Sequence, residues 1–372
     1  MAAARPDAIL NRLEQAGFSA YFVGGCVRDL LLGRALHDWD ITTAASPETV
    51  MALFPHSIPT GIRHGTVTVL LDGAQAEVTT FRADGAYRDG RHPEQVRFVA
   101  SLEEDLARRD FTVNAMAMDL RGAVYDFHGG QDDLRRGVLR CVGAPQTRFH
   151  EDALRMLRAY RFAAQLGFTL ERETEQAIFA CADGCMALSR ERVRDETEKT
   201  LLSPRPAFLE KLLAAGLLRP CGLARSVPLD ALAQLPCERA VRWTALKLAL
   251  PELSPEAFRL PSQLCTQITR AAACYTPAPD TPALKRIAAE NGADIAALVA
   301  ALTDCTPQWA EICASGDCIS LRQLAVSGRD FPALRGEAVG RTLHRLLLHV
   351  LAHPEDNRRE TLLQLSAHEA CE

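Results

Sequence analysis

Gly24-Gly25-Cys26-Val27-Arg28-Asp29, followed by Leu36-His37-Asp38-Trp39-Asp40-Ile41, sets a glycine turn and an arginine ahead of two alternating carboxylates. The apolar run Tyr21-Phe22-Val23 just before it reads as a strand. Val27 to Leu32 reads as a helix opening at the glycines, where unpaired backbone N–H groups can face an anion with Arg28 beside it. If Asp38 to Ile41 is a second strand, its period of two sends both aspartates to one face and Trp39 to the other. Two oxygen ligands then converge on one spot, which suits a hard divalent cation. The order is that of a nucleoside triphosphate site. Neither half is specific alone, because Gly-Gly is commonly a tight turn and Asp-x-Asp a solvated loop; the ordered pair carries the reading.

The 372 residues exceed one ordinary domain, so two to three units with a sizeable core are expected. The 12 cysteines are scattered. The nearest pair, Cys181 and Cys185, has no second pair or histidine at zinc-finger spacing, so buried reduced thiols are the expectation. No run of about 18 apolar residues is present to span a bilayer, and Met1 to Arg12 lacks the apolar core of a secretion signal. A cytoplasmic protein with no membrane partner is expected. The net charge of -5 gives no global pull toward nucleic acid, so any polyanion must be held by a local basic surface. Only four of the 42 basic residues are lysine (Lys199, Lys211, Lys247 and Lys285). Arginine suits bidentate contacts with phosphates and base edges, although genomic base composition produces the same bias.

The first 140 residues or so mix short β-rich runs with helical patterns. Candidate strands are Ala20 to Val23, Asp38 to Thr42, Thr66 to Leu71, Ala76 to Phe81, Val96 to Phe98 and Ala123 to Asp126. Between them, Ser46-Pro47-Glu48 supplies an N-cap with proline at the first helical position, leading into Thr49 to Phe54. Ser101-Leu102-Glu103-Glu104 is a capping-box pattern that starts a helix toward Arg108. These predict an α+β domain with one sheet. From about Gln146 the β signals fade. A helix starting at Thr147 or His150 would carry Leu154, Leu157, Tyr160 to Phe162 and Leu166 and close at Gly167. Another runs from Val193 to Leu202, ended by Ser203-Pro204-Arg205-Pro206. The rest, through Leu363, reads as packed helices with no repeat.

Three further constellations carry chemistry. Glu77 lies on a probable strand from which it can lean toward Asp38 and Asp40, although an exposed strand glutamate is an equal reading. Metals held by such carboxylates activate a hydroxyl nucleophile and stabilise leaving pyrophosphate, which is nucleotidyl transfer. Arg108-Arg109-Asp110-Phe111-Thr112-Val113-Asn114-Ala115 gathers the donors and acceptors that phosphate and ribose contacts need. Glu151-Asp152-Ala153-Leu154-Arg155-Met156-Leu157-Arg158-Ala159-Tyr160-Arg161-Phe162 places arginines three apart behind Asp152. An i,i+3 salt bridge from Asp152 to Arg155 within one helix is the plain reading. A carboxylate beside a guanidinium also matches the hydrogen-bonding edge of a nucleobase, with Arg158 and Arg161 left for phosphates.

Together with Phe127-His128-Gly129-Gly130-Gln131-Asp132-Asp133-Leu134, these blocks stand in the order seen in class II tRNA nucleotidyltransferases, and the chain resembles the bacterial CCA-adding branch of that family. The specific motifs cover residues 21 to 202; Leu321 to Leu363 resembles the family's helical tail more loosely. The resemblance implies an α+β nucleotidyltransferase head with one small mixed sheet over residues 1–140, a helical neck over 141–205 that recognises the base, and an all-α body and tail over 206–372 that grip tRNA. It implies that Asp38 and Asp40 hold catalytic Mg²⁺; Glu77, from its strand position and not from the resemblance, is expected as a further catalytic carboxylate. Gly25 and Arg28 would contact the triphosphate, and Arg109, Asp110 and Asn114 would seat the nucleotide near its sugar. Asp152 and Arg155 would pair with cytosine or adenine, with Arg158 and Arg161 completing the nucleotide site.

The implied reaction is addition or repair of the 3′-terminal CCA of tRNA from CTP and ATP without a nucleic-acid template; DNA is not an expected partner. Arg82 to Pro93 resembles the family's flexible loop, needed for the switch from C to A, which favours full CCA or A-only addition over CC addition. Bacterial poly(A) polymerase shares the head motifs, but Pro59 to Val67 resembles the CCA branch more. A catalytically inactive tRNA-binding protein is the alternative from another class. No His-Asp cluster for the family's optional phosphohydrolase domain follows residue 203.

Overall fold

The computed structural model describes residues 5–36, 38–84, 96–99 and 101–368. It divides into two compact units, one ending at Ser226 and the other starting at Val227.

The first unit is built on a mixed sheet of seven strands. In chain order these are β1 (Ala20–Val23), β2 (Asp40–Thr43), β3 (Ser57–Gly61), β4 (Thr66–Leu71) and β5 (Ala74–Thr80), then, beyond a separate antiparallel pair β6 (Arg82–Asp84) and β7 (Val96–Phe98), β8 (Met116–Met118) and β9 (Val124–Asp126). The sheet order is β3-β4-β5-β2-β1-β8-β9. Within this sheet only β2 and β5 pair in parallel, with Asp40 opposite Glu77 and Thr43 opposite Thr80. Alternation explains β5: Ala74, Ala76, Val78 and Thr80 are buried while Gln75 and Glu77 are exposed. Helix α1 (Asp7–Gln15) covers the sheet with Ile9, Leu10 and Leu13, all fully buried, and α3 (Pro47–Leu53) packs beside it. The short helix α2 (Gly25–Leu31) follows β1 directly.

Two strands of the seven-stranded sheet had no counterpart among the sequence expectations, for opposite physical reasons. β3 is an exposed edge strand carrying Pro59 and a register shift, so it shows no buried face. β8 is buried at all three residues, so alternation has nothing to contrast.

Helices complete the unit. α4 (Leu102–Ala107) starts at Ser101, whose side chain accepts from the Glu104 N–H as expected. α5 (Gly130–Arg136) follows β9, and its first turn is held by Asp126, which accepts from the N–H groups of Gly130 and Gln131. A side chain at Gly130 would bring a Cβ within 2.3 Å of the Thr112 carbonyl oxygen, so glycine lets α5 abut the turn Thr112–Asn114. The predicted single helix across residues 147–167 is instead two: α6 (Pro145–Glu151) and α7 (Leu154–Leu166). Asp152 breaks the run with extended backbone (φ -146°, ψ 106°), and its Oδ1 accepts the Leu154 N–H, a local bond that competes with helix continuation. Gly167 closes α7 in the left-handed region, as expected. After α8 (Arg172–Cys181), α9 (Arg190–Leu201) begins at its Ser189 cap and packs along α7. α10 (Leu209–Ala214) packs against α7 and α9, so the compact unit continues past residue 205 to Ser226.

The second unit is helical throughout its described residues. α11 (Arg239–Ala249), α12 (Ser262–Ala273), α13 (Thr281–Asn291), α14 (Ala293–Leu302) and α15 (Thr306–Ser315) share a core containing Leu284, Ile295, Val299 and Ile312. A second cluster, around Leu346, Leu347, Val350 and Leu362, joins α16 (Glu337–Ala352) and α17 (Arg359–His368). Among the described residues no helix is long and apolar enough to cross a membrane.

Candidate active site

The end of β1, the first turn of α2 and the start of β2 meet at one cleft of about 690 Å³. Trp39 is buried and packs its ring 4.8 Å from that of Phe22, which anchors the inward side of the alternation. Asp38 and Asp40 therefore lie on the other side, and both line the cleft. The strand proper begins at Asp40, two residues later than the sequence pattern, although the Trp39 carbonyl already accepts from the Glu77 N–H at 2.9 Å. Parallel register sets Glu77 beside Asp40, but Glu77 is exposed and is not among the residues lining the cleft.

Gly24 shapes the opposite wall. It has φ +77°, and a Cβ there would stand 2.8 Å from the Arg109 Nη1, so only glycine allows this approach without strain. Gly25 and Cys26, in the first turn of α2, also line the cleft, where helix geometry leaves N–H groups without carbonyl partners. Arg28, nearly buried, forks onto the Asp29 carboxylate at 2.8 and 2.9 Å and donates Nη1 to Asn114 Oδ1 at 2.6 Å. Asn114 donates in turn to Asp110 at 3.2 Å, and Asp110 takes Arg158 at 2.6 Å. Arg161 bonds Glu196 and donates to Gln165 Oε1 at 2.9 Å. The guanidinium carbons of Arg28, Arg158 and Arg161 lie 5.3, 5.2 and 3.8 Å from the Phe162 ring centre, so one aromatic ring gathers three like charges.

Asp105 is the support that sequence reading missed. It is fully buried, accepts from Thr42 Oγ1 on β2 and from the Arg82 N–H, and pairs with Arg108 at 2.8 Å and Arg109 at 3.4 Å. Burial by itself would raise its carboxyl, but the two guanidinium groups hold it below the usual range.

Asp110 behaves alike. Burial opposes its charge, yet Arg158 and the hydrogen bonds from Arg158 and Asn114 bring its pKa down to about 2. A depressed carboxyl contributes stability above its unfolded value of about 3.9 and loses it as pH falls through the folded value. Asp110→Asn should therefore cost about 2–3 kcal/mol at neutral pH, less than for a fully buried pair because Arg158 is a third exposed. Urea melts at pH 7 and pH 2.5 check this: the deficit should shrink at the lower pH, and an equal deficit at both would contradict the pairing.

Asp152 and Arg155 line an adjoining depression of about 280 Å³, whose lining shares Arg109, Asp110 and Arg158 with the larger cleft. They are not the intrahelical pair that their spacing suggested, because Asp152 lies at the break between α6 and α7. Asp152 Oδ2 accepts from Arg192 Nη2 on α9 at 2.7 Å. Arg155 pairs with Glu151 at 2.6 Å, and its Nη2 donates to the Arg108 carbonyl at 3.1 Å. Lys199 on α9 lines the larger cleft. Neither Arg192 nor Lys199 was singled out from the sequence, yet Arg192, Glu196 and Lys199 follow the 4-then-3 spacing of one helix face. Residues 85–93 of the Arg82 to Pro93 loop lie outside the described residues.

Of the anticipated residues, Gly25, Arg28, Asp38, Asp40, Arg109, Asp110, Asn114, Arg158 and Arg161 share the larger cleft, Asp152 and Arg155 its neighbour, and Glu77 lines neither. Burial, then Glu77 and Asp38, raise the Asp40 carboxyl against the pull of Arg109. Such an excess of negative charge is what a cation relieves. Among the described residues no group of three or more His, Cys, Asp or Glu is arranged to hold a metal ion. Two aspartates still fit Mg²⁺, which commonly takes one or two carboxylates and completes its shell from substrate phosphates and water.

The Poly A polymerase head domain family matches residues 20–140, and the probable RNA and SrmB-binding site of polymerase A matches residues 167–221. A CCA-adding enzyme of Geobacillus kaustophilus is 41% identical over 95% of this chain and 94% of its own length. One from Lactobacillus delbrueckii subsp. bulgaricus is 50% identical over 65% of this chain, and the match spans 63% of that protein. Among solved structures, the Bacillus stearothermophilus CCA-adding enzyme in complex with CTP is similar over 98% of both chains, with a TM-score of 0.85 and 36% identity.

Proposed function

Because the chain belongs to the CCA-adding enzyme family, we propose that it adds or repairs the 3′-terminal CCA of tRNA, using CTP and ATP without a nucleic-acid template. The observation that carries this reading is the shared wall of the two depressions, in which Arg109, Asp110 and Arg158 stand between the Asp38–Asp40 pair and the Asp152–Arg155 pair. One nucleotide laid along that wall has its phosphates at the first pair and its base at the second.

Base choice follows from donor and acceptor chemistry. Cytosine and adenine each present an exocyclic amino donor beside a ring-nitrogen acceptor. The Asp152 carboxylate accepts from the amino group, and the Arg155 guanidinium donates to the ring nitrogen. Uracil and guanine turn a carbonyl acceptor toward the carboxylate and are rejected. A carboxylate has about four acceptor positions, and the Leu154 N–H and Arg192 use two, so capacity for a base remains.

At the other end, the first turn of α2 and Arg28 bind and orient the triphosphate. Asp38 and Asp40 would hold Mg²⁺, with Glu77 adding charge beside them. Bound there, the metal lowers the pKa of the tRNA 3′ hydroxyl and neutralises charge on the phosphates. The hydroxyl gives up its proton to solvent, its oxygen bonds to the α-phosphorus as the bond to the bridging oxygen breaks, and pyrophosphate leaves. The helices after the head, a neck to about residue 205 with a body and tail beyond it, would hold the acceptor arm by shape and backbone instead of sequence.

The test is incorporation on tRNA ending before C74, before C75 and before A76. Full CCA activity extends all three to the same end with CTP and ATP. Extension of the last substrate alone marks an A-adding enzyme. Continued A addition with CTP ignored marks a poly(A) polymerase.

A further inference from the structure

Each arginine lining the larger cleft is already partnered by a carboxylate. Arg28 pairs with Asp29 at 2.8 Å, Arg109 with Asp105 at 3.4 Å, Arg158 with Asp110 at 2.6 Å, and Arg161 with Glu196. Asp38 and Asp40 add two further negative charges, and among the described residues neither forms a salt bridge. The polar wall is therefore not basic on balance, although it must receive a polyanion. Among the described residues of this cleft, Lys199 is the cation left without a salt bridge or hydrogen bond. It is exposed and lies on α9, on the same helix face as Arg192 and Glu196.

We infer that Lys199 is a phosphate-binding residue, whose ammonium supplies the unpaired positive charge that the cleft's neutralised arginines do not. A strongly hydrated point charge on a flexible stem suits this work, because it follows phosphate oxygens without fixed fork geometry. The inference rests on the nucleotidyl-transfer reading and names a contact within it. Two sources present the same chemistry: the triphosphate of the incoming nucleotide and the backbone phosphates at the RNA 3′ end.

Lys199→Met and Lys199→Arg in the full chain separate these. Both replace an exposed side chain, so the core is untouched. CTP affinity is measured by titration without RNA, tRNA affinity by filter retention without nucleotide, and KM and kcat by incorporation. Lys199→Met should weaken one of the two affinities by about tenfold or more, as loss of a charge-assisted phosphate contact does, with a matching rise in KM and kcat within about threefold. Lys199→Arg should recover to within about threefold of the parent. Weakened CTP binding assigns the triphosphate, and weakened tRNA binding assigns the RNA backbone; either supports the inference. Unchanged affinities for both ligands, or an arginine variant as impaired as the methionine variant, overturn it. A parent chain that incorporates nothing would refute nucleotidyl transfer itself, while the two binding titrations still read Lys199.

Discussion

Asp38→Ala is expected to abolish nucleotide incorporation, by about a thousandfold or more, while tRNA binding stays within twofold of the parent. Asp38 is exposed and bears none of the sheet's packing, so its removal should change stability by no more than about 0.5 kcal/mol. On the proposed reading, what is lost is a hard oxygen ligand where Asp40 already carries repulsion from its carboxylate neighbours. Incorporation with CTP and filter retention of tRNA measure the two halves of the expectation. Incorporation surviving within tenfold would remove the carboxylate pair from the reaction.

The second large effect is on base choice. Asp152→Asn keeps an oxygen to accept the Leu154 N–H, so the start of α7 is retained, but it puts an amide donor where the carboxylate accepted. Discrimination of CTP over UTP and of ATP over GTP, read as ratios of kcat/KM, should fall by roughly tenfold to a hundredfold. The salt bridge to Arg192 loses its charge in the same variant. Arg192→Gln, which releases Asp152 while leaving Asp152 and Arg155 themselves unchanged, should move discrimination in the same direction and by less. Unchanged ratios in Asp152→Asn would mean that the base is read elsewhere.

How far these sites could be seen in the sequence depended on whether their geometry is local. β1 and β4 begin and end where alternation and burial place them, and Ser46, Ser101 and Gly167 mark helix ends through their own backbone chemistry. Asp38 and Asp40 were legible because they flank a single apolar residue, Trp39, whose burial leaves both on the other side, although the strand itself starts only at Asp40. The salt bridges were not. Spacing joined Asp152 to Arg155 on one helix, whereas the fold ends α6 at Glu151 and gives Asp152 to Arg192, forty positions away. Asp105 is one of three acids in the first turn of α4, and its burial under Thr42, Arg108 and Arg109 depends on strand order. The edge strand β3 and the doubly buried β8 were hidden because neither has one wet and one dry face.

The most direct test of the central claim, that one nucleotide spans both depressions, is a crystal structure of this chain with CTP. The cytosine amino group should lie within hydrogen-bond distance of Asp152 and its ring nitrogen within reach of Arg155, while the triphosphate meets Arg28 and the first turn of α2 on the side of Asp38 and Asp40. A CTP whose base points away from Asp152 and Arg155 while its phosphates occupy the larger cleft would contradict it.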